Sequence, residues 1–316
     1  MAIPVIDFSK LHGPERPNTL ALIAHCCQHW GFFQLINHGI NKELLEKVKK
    51  VASHCYKQHR EPAFFRDSAP VKLLDDLLRT KNDVDRIDNV DWEDVFLLSD
   101  DNIHQWPSET PAFEETMKEY RAELKKLAIK VMEVMDENLG LPRGYINNAF
   151  TAGKGDDGAF FGTKVSHYPP CPRPDKVSGL RAHTDAGGVI LLFQDDEVSG
   201  LQILKDGVWI DVQPLKNAIV VNTGDQIEVL SNGRYKSVWH RVLASPDATR
   251  RSIASFYNPS FDAMIEPAPI VVAEKEEEEE ENQTKYPKFV FGDYMSVYAE
   301  QKFLPKEPRF QAVKAM

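Results

Sequence analysis

Three side chains in the second half of the 316-residue chain could together hold a metal ion. His183 and Asp185 stand two positions apart in Gly179-Leu180-Arg181-Ala182-His183-Thr184-Asp185, so on a strand both would point to one face of a sheet. His240, in Val238-Trp239-His240-Arg241, lies in another β-rich run and reaches the same point if the sheet curls into a barrel. Two imidazoles and one carboxylate on one side of a metal form the ligand set of non-haem Fe(II) oxygenases, which leaves positions free for substrate and O2. Taken alone, His183-x-Asp185 is equally well a polar strand face; the addition of His240 favours the metal. Zinc is the rival ion. A closed structural zinc site would need a Cys/His set that the chain does not offer, and the helical H-E-x-x-H spacing of zinc hydrolases is absent.

Arg250-x-Ser252 follows His240. On one strand face, a guanidinium that forks onto two oxygens and a hydroxyl that adds a third donor make a carboxylate clamp. A surface Arg paired with an acidic neighbour is the duller reading, and it prevails for Arg250 in isolation. Period two pairs Arg250, rather than Arg251, with Ser252. Lys164, Ser166 and Tyr168 can share a face of a neighbouring strand, and Arg181 flanks it. A lysine buried on such a face is costly without an anion; a solvated lysine fits the sequence equally well.

The elements that must position these residues divide the chain. The first half reads as mainly helical. Ile3–Phe8 is a short strand; Thr19–Trp30 is a helix capped by Asn18 or Thr19 and closed by Gly31. Phe32–Asn37 is a strand, and Asn41 caps a second helix with Leu44, Val48, Val51 and Cys55 on one face. Residues 61–90 read as loop with a short helix. Phe113–Leu139 is a long amphipathic helix ended by Gly140 and Pro142. The second half changes to short strands at Phe160–Tyr168, Ile190–Phe193, Gly200–Lys205, Val208–Val212, Ala218–Asn222, Ser237–Val242 and Ser252–Tyr257. Asp206-Gly207 marks a hairpin. The pattern predicts an α+β protein: a double-stranded β-helix (jelly roll) core flanked by helices. Residues 1–150 form the helix-rich region and 151–316 the jelly roll, in one compact unit. A helix at Phe289–Gln301 and a structured tail at Lys302–Phe310 close the sequence.

Composition narrows the function. The chain is 42% apolar and 27% charged, as for an ordinary globular protein. Net charge is −10; Glu274–Glu281, with seven Glu and one Lys, supplies −6 of it and leaves −4 for the rest. No basic face suited to nucleic acid emerges. Residues 274–285 are expected to form a mobile acidic surface loop without a site. No run is long and apolar enough to span a membrane, and Met1–Asp7 lacks the features of a signal peptide. Cys26, Cys27, Cys55 and Cys171 show no C-x-x-C spacing, so reduced thiols and a cytoplasmic location are expected.

Several motifs carry a family resemblance over nearly the whole chain. Trp30-Gly31-Phe32-Phe33, Asn37-His38-Gly39, Tyr168-Pro169-Pro170-Cys171-Pro172, Gly224-Asp225-Gln226 and the His183/Asp185/His240 set resemble the plant iron/2-oxoglutarate-dependent oxygenase superfamily. Phe161–Ser166, Gly179–Gly188, Ala254–Pro259 and Lys306-Glu307-Pro308-Arg309-Phe310 resemble one branch, the 1-aminocyclopropane-1-carboxylate (ACC) oxidases. The resemblance implies Fe(II), ascorbate as cosubstrate, CO2 or bicarbonate as activator, and ACC and O2 as substrates. It implies that Arg250 and Ser252 hold a carboxylate or bicarbonate. Lys164, Arg181, Lys302, Glu307 and Arg309 would form the polar surround, and Thr163, Tyr168, Phe193, Gln194 and Phe256 the pocket. A monomer is expected. His167, Arg251 and Gln311 depart from the family's Asn, Met and Glu. The alternative is a 2-oxoglutarate-dependent hydroxylase or desaturase, whose cosubstrate the Arg250-x-Ser252 pair would clamp; a non-catalytic barrel ranks below both, since all three ligands are present.

Overall fold

Period-two strands sort their side chains onto two apolar layers, and that sorting builds the molecule. The computed structural model describes residues 2–80, 86–155, 158–269, 271 and 284–314. In chain order come β1 (Val5–Asp7), α1 (Arg16–His29), β2 (Phe32–Ile36), α2 (Lys42–Cys55), α3 (Glu61–Asp67), α4 (Ala69–Thr80), β3 (Asp94–Leu98), α5 (Phe113–Asn138) and α6 (Tyr145–Thr151). Then follow β4 (Phe160–Tyr168), β5 (Ser178–His183), β6 (Val189–Gln194), β7 (Leu201–Lys205), β8 (Val208–Asp211), β9 (Ile219–Thr223), α7 (Asp225–Leu230), β10 (His240–Leu243) and β11 (Arg250–Asn258). Two tail helices, Phe291–Gln301 and Glu307–Lys314, complete the described chain.

A seven-stranded sheet in the order β1-β2-β9-β6-β11-β4-β3 faces a four-stranded sheet in the order β5-β10-β7-β8. This is the jelly roll that the strand spacing predicts. On the outer face of the large sheet, Phe33, Leu191, Phe193, Val221 and Ile253 join the core made by α2 and α5. Leu124 and Val131 of α5 are buried there, each such burial contributing roughly 1.5–3 kcal/mol. On the inner face, Phe32, Leu192 and Val220 meet Leu201, Ile203 and Val242 of the small sheet. Asp206 and Gly207 both have left-handed φ, 50° and 79°, as a two-residue hairpin between twisted strands requires.

Several sequence expectations are corrected. α1 begins at Arg16, not at Thr19: Pro17 occupies its first turn, where a missing N–H costs no hydrogen bond. Residues 61–80 are two helices, not mostly loop; Pro62 and Pro70 sit in their first turns and so start helices rather than break them. Tyr56–Arg60 continues α2 as a π-helical turn. β3, which was not expected, adds an edge to β4. Phe289–Val290 is a short strand before its helix, and the tail from Glu307 onward is helical. The acidic run Glu274–Glu281 lies outside the described residues.

Gly31 links α1 to β2 at φ +62°, and a Cβ there would stand 2.5 Å from the Lys236 carbonyl oxygen. Left-handed backbone costs a non-glycine residue roughly 1–2 kcal/mol before any clash. Gly31→Ala is therefore expected to lower unfolding free energy by about 2 kcal/mol or more, as read from the midpoint of a denaturant titration.

Candidate metal centre and active site

β5 and β10 pair antiparallel with His183 directly opposite His240. Directly opposed residues share a sheet face, and the two ring centroids lie 4.3 Å apart. The His183 Nδ1 faces the Arg181 carbonyl at 2.9 Å and the His240 Nδ1 faces the Val238 carbonyl at 3.2 Å. Each Nδ1 therefore donates its hydrogen to a carbonyl oxygen, and each Nε2 faces the carboxylate of Asp185, 3.6 Å away from His183 and 3.5 Å from His240. The three ligand atoms all lie within 4.8 Å of one another. Burial first, and the neighbouring His240 second, hold the His183 imidazole well below its usual range, which keeps it in the neutral form that binds metal.

Asp185 corrects an expectation. β5 ends at His183, so the carboxylate comes from a loop beyond the strand rather than from the strand itself. That loop is fixed by the Gly224-Asp225-Gln226 segment: the Asp225 amide donates to the Asp185 carbonyl at 2.8 Å, and the Gln226 Nε2 to the Ala186 carbonyl at 2.7 Å. Asn222 of β9 donates its Nδ2 hydrogen to Asp185 Oδ2 at 2.8 Å. Two imidazoles and a held carboxylate, with no thiolate, suit Fe(II), and their free side opens onto a cavity. Residues His183, Asp185 and His240 would hold the ion.

The cavity has a volume of about 220 Å³ and lies between the two sheets. Lys164 and Tyr168 of β4, Arg250, Ser252 and Phe256 of β11, and Lys302 of the tail reach it. Arg250 is 1% exposed. Its Nη2 donates to Gln194 Oε1 at 3.1 Å and its guanidinium lies over the Tyr168 ring, while Nε and Nη1 have no protein acceptor. Burial, then the like charge of Lys164, pushes the Lys302 ammonium below its usual range. Arg251 points to the helical side, toward Ser53 of α2 at 3.3 Å, and Arg250 is the one that faces the cavity.

Other expected pocket residues are placed elsewhere. Phe193 faces α5 and packs near Tyr120; alternation along β6 puts Ile190 and Leu192 in the cavity instead. Thr163 also faces the helices, where its hydroxyl meets Arg121 at 3.0 Å and Ser255 at 2.8 Å. Gln194 touches the site through Arg250. Arg181 is turned to Asp91, at 2.9 Å, and stacks on Phe303. Glu307 is exposed on the tail helix, because the helical tail turns it outward. Arg309, wholly buried, pairs with Asp225 at 3.2 Å and donates to Thr184 Oγ1 at 3.0 Å. It anchors the tail to the metal loop instead of lining the cavity. Glu93 and Asn222 were missed. A lone amide in the apolar run Ile219–Thr223 was the available signal for Asn222.

A two-sheet barrel with an open His/Asp/His face defines a non-haem iron oxygenase. Residues 160–259 match the 2OG-Fe(II) oxygenase superfamily, and residues 3–112 match the family described as non-haem dioxygenase in morphine synthesis N-terminal. A solved structure of JOX2 in complex with 2OG, Fe and JA superposes with a TM-score of 0.79 at 33% identity, covering 99% of this chain and 89% of that one. A 1-aminocyclopropane-1-carboxylate oxidase 5 from Arabidopsis thaliana is 68% identical, and a 1-aminocyclopropane-1-carboxylate oxidase from Musa acuminata 67%, each over 100% of both chains. The chain belongs to the 1-aminocyclopropane-1-carboxylate oxidase family.

If Asn222 fixes the Asp185 carboxylate, its loss should act on the metal. Asn222→Ala is expected to weaken Fe(II) binding roughly 10- to 100-fold, measured by anaerobic metal titration, with secondary structure retained.

Proposed function

We propose that this protein oxidises ACC with O2 to ethylene, cyanide and CO2, with ascorbate supplying the additional electrons and bicarbonate or CO2 as activator. The observation that carries the reading is the 68% identity to an ACC oxidase over the full length of both chains. Fe(II), which His183, Asp185 and His240 would hold, would supply the O2 chemistry. The protein's own groups bind and orient. Arg250, held by Gln194 and backed by Tyr168, offers its unpartnered Nε and Nη1 to an anionic oxygen, and Ser252 adds a hydroxyl from the same strand face. Lys302 presents a second cation from the tail. Phe32, Leu192, Leu201 and Val242 keep the walls apolar, which strengthens each polar contact inside. A cavity of about 220 Å³ suits a small amino acid.

The four buried free cysteines support a reducing, cytoplasmic location, and among the described residues no helix is long and apolar enough to cross a membrane. The 2-oxoglutarate reading places its cosubstrate's carboxylate on the same clamp, and an assay separates the two. Ethylene should appear in the headspace with ACC, Fe(II), ascorbate and bicarbonate, without 2-oxoglutarate; turnover that requires 2-oxoglutarate would overturn the proposal. Asp185→Ala should abolish both iron binding and ethylene release. Arg250→Lys, which keeps the charge but loses the fork, is expected to raise the bicarbonate concentration for half-activation about tenfold.

A further inference from the structure

Among the described residues, Lys164, Arg250 and Lys302 bring cationic groups to the cavity, but they are not equivalent. Lys164 donates to both carboxylate oxygens of Glu93, at 2.8 and 2.9 Å. Tyr168 donates its hydroxyl hydrogen to Glu93 Oε1 at 2.7 Å. The Glu93 side chain is only 7% exposed. Two residues upstream, Asp91 holds Arg181 in the same way, and between them Trp92, buried, donates its indole N–H to the Pro169 carbonyl at 3.0 Å. Asp91-Trp92-Glu93 is thus a strap of two acids around an anchored indole, laid along the basic residues of β4 and β5. Arg250 and Lys302 have no carboxylate within ion-pair distance among the described residues.

We propose that Glu93 is a positioning residue that cancels the charge of Lys164 and occupies the Tyr168 hydroxyl, leaving Arg250 and Lys302 as the groups that bind anions in the cavity. The inference rests on the reading that the cavity holds an anionic ligand at Arg250. A paired lysine inside a low-dielectric cavity attracts a further anion weakly, because its field is largely spent on its partner. Burial and then the charge of Glu93 raise the Tyr168 hydroxyl well above its usual range, so it stays protonated and keeps donating to that carboxylate. The selectivity follows: a ligand carboxylate or bicarbonate is drawn to the β11 and tail side of the cavity, away from β4.

The test uses inorganic sulfate as the probe anion and the full-length, Fe(II)-loaded protein under argon, with binding read by calorimetry at fixed ionic strength. Glu93→Gln releases Lys164 as an unmatched cation and is expected to tighten sulfate binding about tenfold. Lys164→Met leaves Glu93 unmatched and should weaken it about tenfold. The double variant, Glu93→Gln with Lys164→Met, should return to within about twofold of the parent, since a neutral pair replaces a neutral pair. A folded Glu93→Gln variant with unchanged sulfate affinity overturns the proposal. So does a double variant that binds as weakly as Lys164→Met, and this comparison decides the matter even where Glu93→Gln alone does not fold. Ethylene release by the parent protein is read separately: turnover of ACC with a flat sulfate series rejects the charge pairing alone, whereas the expected sulfate series without turnover rejects the substrate reading alone.

Discussion

The antiparallel register of β5 against β10 is the constraint on which the site depends. It sets His183 and His240 on the same face at directly opposed positions, and a slip of one residue would turn one imidazole into the opposite layer. The register is in turn imposed by the apolar residues of the small sheet, Leu180, Leu201, Ile203 and Val242, which must meet the inner face of the large one. The metal centre is therefore a by-product of core packing, completed by a loop. Because Asp185 sits beyond the strand, its position is fixed by hydrogen bonds from α7 and β9 rather than by pleat geometry.

The tail is tied to that loop by an ion pair with no exposed surface, Arg309 with Asp225. Burying two charges is expensive, and an apolar pair of similar volume is often at least as stabilising. What the pair provides is direction. Arg309 also donates to Thr184, and Tyr294 and Tyr298 donate to Asp225 and to the Thr184 carbonyl. The tail helices can dock in one orientation, and that orientation brings Tyr298 and Lys302 to the cavity.

Much of this was legible in the residues themselves. Alternation, turn chemistry and the Asn41 cap gave the strands, the Asp206-Gly207 hairpin and α2, and two histidines with one aspartate gave the metal. The faces of the central strands were harder. In β6 all six residues are buried, so apolarity does not tell Leu192, which enters the cavity, from Phe193, which packs on α5. Charge partners were harder still. Arg181 reads as a cavity cation until Asp91, distant along the chain, is seen to hold it. Lys164 reads as unpaired for the same reason, since Glu93 reaches it only through β3, an edge strand with weak sequence signal.

Neighbouring rungs of the ladder between β4 and β11 belong to different worlds. Arg250 lies opposite Tyr168 and faces the cavity; Arg251, the next residue, lies opposite His167 and faces the helices. His167 is stacked on Tyr56 at 4.2 Å and pushed down to about 3 by burial, then by Arg251, so it behaves as a flat neutral ring. The two are cross-strand partners on the helical face. A sheet of this kind acts as a partition: the rung that meets the reactants must satisfy their chemistry, while the rung behind it answers only to the fit of the helices against it.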